Sequence, residues 1–213
     1  MWHDPGGGCP PPVRVTRMQP TALPALKVDP ATGLLIGVRQ VLSPHFDARP
    51  GNAVPELIVV HGISLPPGEF GGPWIDQLFT GNLPPDAHPY FREAAAPGRR
   101  VSAHVLIRRD GQVIQYVPFA ARAWHAGQSE YRGRAACNDF SIGIELEGTD
   151  DIPYTDEQYD QLARVVKALL ACYPLLSPTH ITGHSDIAPV RKTDPGPAFD
   201  WSRFRGLIAQ ESL

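Results

Sequence analysis

Leu57-Ile58-Val59-Val60 is an unbroken apolar run that ends in His61-Gly62, and it restricts the fold more than any other stretch. A strand that is apolar on both faces has to be covered on both. The chain therefore needs a central sheet with layers on either side, and His61 is a polar group delivered at the end of a buried strand. Phe140 to Glu147 alternates. Phe140, Ile142, Ile144 and Leu146 are expected on one face, with Ser141, Gly143, Glu145 and Glu147 on the other, so two carboxylates project together near a strand end.

Val101–Ile107 and Gln112–Val117 flank Asp110-Gly111, a hairpin pattern. Thr155-Asp156-Glu157-Gln158 is a capping box, followed by Leu162, Val165, Val166, Leu169 and Leu170 at helical spacing until Tyr173-Pro174. Shorter helices are predicted from Pro73 to Phe79, closed by Gly81, and from Asp200 to Ile208. At 213 residues this amounts to one α/β domain with a covered sheet. Seven of the 24 prolines fall in the first thirty residues, together with Gly6-Gly7-Gly8, so residues 1–27 are read as a flexible arm and 28–213 as the domain.

The net charge of −3 gives no electrostatic reason to bind nucleic acid or an anionic membrane, which favours a small substrate. No apolar run is long enough to span a bilayer, and the N-terminal residues lack a signal-peptide pattern, so a cytoplasmic location is expected. Cys9, Cys137 and Cys172 are scattered, without a C-x-x-C. They indicate neither a disulfide framework nor a thiolate zinc site.

The chemistry then falls to histidines and acids at strand ends and in Gly/Pro loops. His184 lies in the turn Thr182-Gly183-His184-Ser185-Asp186, and Lys192-Thr193-Asp194-Pro195-Gly196-Pro197 sets a lysine and an aspartate two apart on a stiff loop. Two imidazoles and a carboxylate are a ligand set of the kind that holds catalytic zinc with one position open. Composition and periodicity leave other readings standing. Each histidine can be a structural hydrogen-bonding residue, Glu145 and Glu147 a solvated face, and Arg99, Arg100, Arg108 and Arg109 plain surface charge. A Cys/His hydrolase built on Cys137 with His125 or His184 is also open.

His61 to Gly72, Val101-Ser102-Ala103-His104, Arg122-Ala123-Trp124-His125-Ala126-Gly127, Cys137 to Gly148, and Thr182-Gly183-His184 through Asp194-Pro195-Gly196-Pro197 resemble, in that order, motifs of the zinc-dependent type 2 N-acetylmuramoyl-L-alanine amidases. The likeness is to the AmpD-type branch specific for 1,6-anhydro-muropeptides. This family also includes phage amidases and animal peptidoglycan-recognition proteins. The resemblance implies a central mixed β-sheet flanked by helices and one zinc ion held by His61, His184 and Asp194. It further implies Glu145 as general base and Lys192 facing the reacting carbonyl. The implied substrate is a muropeptide, cut between anhydro-N-acetylmuramic acid and L-alanine in peptidoglycan recycling. Trp124 is expected against the sugar or peptide, and Arg100 on stem-peptide carboxylates. Arg134 is the candidate to replace an arginine of the family that is here Ala136, and Gly62 stands where asparagine is expected. A non-catalytic muropeptide-binding module of the same fold is the other reading, one that would usually have lost a zinc ligand.

Overall fold

The computed structural model describes residues 25–210. In it Leu57–Ile63 lies inside a six-stranded sheet, paired in parallel with Ile181–Gly183 on one side and Ser141–Glu147 on the other. The sheet continues through Val105–Ile107, Val113–Gln115 and Arg39–Gln40. Val105–Ile107 pairs antiparallel with Val113–Gln115, and every other pairing in this sheet is parallel, so the sheet is mixed. Asp110-Gly111 turns the hairpin of this sheet, with Gly111 at φ 82°, a left-handed conformation that suits glycine.

Leu57, Ile58, Val59 and Val60 are fully buried, as the two-faced apolar run requires. One face, carrying Ile58, Val60, Ile142, Ile144 and Leu146, packs against the long helix Asp156–Cys172 through Leu162, Val165, Val166 and Leu169. Thr155 and Gln158 form the expected capping box at its start. Trp201–Ala209, capped by Asp200, lies beside this helix with Phe204 fully buried. The opposite face is covered in part by Trp74–Thr80, which ends on the left-handed Gly81. The helices thus flank the sheet as predicted.

Phe140 departs from the expected pattern. The strand begins only at Ser141, after the 3-10 turn Cys137–Asp139, and Phe140 packs with Leu57, Val59 and Ile187 instead of with Ile142. Ala136 in the left-handed region and that turn reverse the chain just before pairing starts. The expected arm lies outside the described residues up to position 24. Of the remainder, Leu26 packs on the main core and the Lys27 carbonyl accepts from Ile36 N–H at 2.9 Å. Cys9 lies outside the described residues.

Candidate metal and catalytic site

Strand register builds the site. His61 is paired with Glu145, and Val60 with Gly183, so His61, Glu145 and the residue after Gly183 come to one edge of three parallel strands. His184 opens the one-turn helix His184–Ile187, and Ser185 N–H donates to the Asp194 carbonyl at 2.9 Å. That bond folds the following loop back over the strand ends. His61 Nδ1 is 3.0 Å from His184 Nδ1 and 3.2 Å from Asp194 Oδ2, and His184 Nδ1 is 3.1 Å from Asp194 Oδ2. A tetrahedral ion with bonds of about 2.0–2.1 Å holds its donors about 3.3 Å apart, close to this triangle.

The outward nitrogens test whether the inward ones are free to bind. His184 Nε2 faces the Ala126 carbonyl at 3.2 Å. A carbonyl only accepts, so the proton of the neutral ring is on Nε2 and Nδ1 presents a lone pair. His61 Nε2 meets His125 Nδ1 at 2.9 Å, and His125 Nε2 meets Ser141 Oγ at 3.2 Å. With His61 donating to His125 and His125 to Ser141, His61 Nδ1 also turns a lone pair inward. Two nitrogen lone pairs and a carboxylate oxygen then converge with no proton between them. Such a set fits a divalent cation.

Electrostatics agree. Burial pushes His61 down to about 4, so it is neutral and able to ligate at neutral pH. Glu145 is only 9% exposed, its Oε2 is buried without a hydrogen-bond partner, and its carboxyl lies well above the ordinary range. The cause is burial first and the charge of Asp194 second, with Lys192 opposing.

The two carboxylates of the alternating strand, equivalent in the sequence, part company here. Glu147 Oε1 accepts from Gly71 N–H at 2.7 Å and from Arg108 at 3.2 Å, and Oε2 accepts from Arg109 N–H at 3.3 Å. Glu147 is committed to holding the Gly-rich loop, and Glu145 is free. His61, Glu145, His184, Lys192, Asp194 and Trp124 share one cavity of about 630 Å³.

Arg100 and Arg134 do not reach that cavity. The Arg100 guanidinium sits 5.7 Å from the centre of the Trp124 ring and lines a neighbouring cavity. Arg134 contacts both Glu56 oxygens at 3.0 and 3.1 Å and lies over Phe140, in a separate pocket. The guanidinium groups on the shared cavity are Arg99 and Arg191, which the sequence did not single out. Cys137 is fully buried among Leu57, Val59 and Phe140, and burial raises its thiol, which removes it as a nucleophile. A Cβ at Gly62 would overlap the Tyr154 hydroxyl, which donates to the Pro195 carbonyl at 3.0 Å. The absent side chain thus leaves room for a brace on the residue after Asp194.

Among the described residues no helix is long and apolar enough to cross a membrane. The family profile described as N-acetylmuramoyl-L-alanine amidase matches residues 51–197. The Escherichia coli K12 protein 1,6-anhydro-N-acetylmuramyl-L-alanine amidase AmpD is 66% identical over 180 residues, covering 84% of this chain and 97% of that one. The crystal structure of a selenomethionine AmpD derivative superposes with a TM-score of 0.81 at 63% identity, over 85% of this chain and 98% of that one. A Pseudomonas aeruginosa protein solved in complex with anhydromuramic pentapeptide matches with a TM-score of 0.54 at 28% identity, over 72% of this chain and 59% of that one.

Proposed function

The chain belongs to the N-acetylmuramoyl-L-alanine amidase family, and we propose that zinc-dependent hydrolysis of 1,6-anhydro-muropeptides is its reaction, in cytoplasmic peptidoglycan recycling. The bond cut joins the lactyl carbonyl of anhydro-N-acetylmuramic acid to L-alanine. One observation carries the reading: His61, His184 and Asp194 converge within a coordination sphere, with Glu145 in register opposite His61. We assign one zinc per chain to His61 Nδ1, His184 Nδ1 and Asp194 Oδ2, a nitrogen and carboxylate set that suits this ion.

When bound, the ion supplies Lewis acidity to the carbonyl and brings the pKa of water to about 7. Glu145 takes the proton of the attacking water at its buried, unpartnered Oε2 and returns it to the alanine nitrogen as the C–N bond breaks. Its raised proton affinity suits both duties. Lys192 stands on the same cavity and steadies the charge that develops on the carbonyl oxygen, a role for which one fixed donor contributes about 3 kcal/mol. Trp124 offers an aromatic wall to sugar or peptide, and Arg100 acts through its stack on that ring. Arg99 and Arg191 line the cavity and are the candidates to meet stem-peptide carboxylates, although Arg99 also contacts Glu93 and Arg191 donates to the Ala126 and Gln128 carbonyls, whereas Arg134 pairs with Glu56 in a separate pocket.

Turnover of an anhydro-muropeptide, followed by mass spectrometry, tests this. Free peptide and anhydro-N-acetylmuramic acid are expected, with loss of turnover on chelation, recovery with zinc, and indifference to thiol alkylation. Turnover that survives chelation would sink the reading.

A further inference from the structure

His125 and Ala126, neighbours in sequence, supply the outer partners of both metal-facing imidazoles. His125 Nδ1 lies 2.9 Å from His61 Nε2, and the Ala126 carbonyl lies 3.2 Å from His184 Nε2. One two-residue segment therefore sets the ring planes and proton positions of two histidines that are 123 residues apart.

Two side chains hold this segment: Arg191 donates to the Ala126 carbonyl at 2.6 Å, and Asn138 holds both of its backbone N–H groups. Asn138 Oδ1 accepts the backbone N–H of His125 at 3.1 Å and that of Ala126 at 2.8 Å, using both lone pairs of one amide oxygen. Asn138 is anchored in turn, because its carbonyl accepts from the Arg49 guanidinium at 3.1 Å. Arg49 is 6% exposed and also donates to the carbonyls of Asp139, Phe119 and Ser141. On the sheet side, Gly143 leaves the space that the His125 ring fills, since a Cβ there would overlap the ring.

We propose that Asn138 is a positioning residue for the metal centre. Through one side-chain oxygen it orients His125 and the Ala126 carbonyl, and through them both imidazoles, although it contacts neither ligand ring. The proposal rests on His61, His184 and Asp194 being the ligands. Outer partners of metal-bound histidines typically govern about 10–100-fold in affinity, and here one residue governs two of them.

The test is zinc affinity of the full chain, measured by competition with a chromophoric chelator, with circular dichroism to establish folding. N138A and H125A are each expected to weaken zinc binding by about 10–100-fold. The double variant should fall little further than N138A alone, because both changes act on one segment. N138D keeps the accepting oxygen and H125N keeps an acceptor near the Nδ1 position, so both should stay close to wild type. G143A should behave like H125A, because it displaces the ring and leaves strand pairing in place. If N138A does not fold, N138S, with its oxygen drawn back, replaces it and is also expected to bind more weakly. Folded N138A or N138S binding zinc as wild type does, while D194A has lost it, overturns the positioning role. D194A binding as tightly as wild type overturns the ligand assignment, and the positioning role with it.

Discussion

Glu145 and Glu147 share a strand face, and their hydrogen-bond partners separate them. Glu147 is tied to Gly71, Arg108 and Arg109, whereas Glu145 has a buried oxygen with no partner. Glu145→Gln is expected to lower turnover by about 10²–10⁴-fold, while Glu147→Gln retains most of it. Comparable losses in both variants would remove the distinction. The raised carboxyl of Glu145 also links folding to pH. A group whose proton is held more tightly in the folded state favours folding below its unfolded pKa, about 4.3, and that contribution disappears as pH rises through the folded value. At pH 8, where the unfolded chain has this carboxyl ionised, burying it in the folded state is therefore a penalty. The metal-free Glu145→Gln protein should melt higher than metal-free wild type at pH 8, by about 2–4 °C per kcal/mol relieved, with the gap closing toward pH 4. A lower melting point at pH 8 would contradict the assignment. Turnover by wild type should decline on the acid side as Glu145 takes up its proton.

Among the elements, the long helix Asp156–Cys172 is fixed to the sheet by its own cap. The Gln158 side-chain amide donates to the carbonyls of Ile107 at 3.1 Å and Glu147 at 2.9 Å, and its oxygen accepts from Thr155 N–H at 3.1 Å. The residue that completes the capping box thus also closes the ends of two adjacent strands, one of them the strand that carries Glu145. Thr155→Ala removes a cap worth about 1 kcal/mol. Gln158→Leu leaves two buried carbonyls unpaired at about 1–3 kcal/mol each, so it should be the more damaging change in urea unfolding. The reverse order would mean that the helix start is held by contacts other than these. The helix and its capping box were legible in the sequence because apolar spacing and cap chemistry are local. The displacement of Phe140 was not, because a 3-10 turn ahead of a strand leaves no periodic trace.

For the molecule as a whole, the site lies where three parallel strands end together, the usual place for a ligand in a parallel sheet. The proposed ligands are His61, His184 and Asp194, so an ion held there would tie the central strand to a neighbouring strand end and its loop, and would be bound only by the folded chain. Saturating zinc at about 100 times its dissociation constant adds about 2.7 kcal/mol, or about 5–10 °C in melting temperature for a domain of this size. Chelation should lower the melting temperature of wild type by that order and leave Asp194→Ala unmoved. An equal shift in both proteins would place the ion elsewhere.

Local pattern was enough to establish a buried central strand ending in His61, an alternating strand bearing Glu145, a capped helix behind them and a stiff loop carrying Lys192 and Asp194. These depend on neighbours within a few residues, and motif order added the expected chemistry. Tertiary structure alone gave Glu147 its partners and left a Glu145 oxygen without one, placed Arg99 and Arg191 on the cavity and Arg100 and Arg134 beside others, and buried Cys137. It also joined His125 and Asn138 to the two imidazoles. Each of those outcomes depends on which partner a side chain meets across the sheet or between loops, and hydrogen bonds between residues tens of positions apart leave no spacing in the chain from which they can be read.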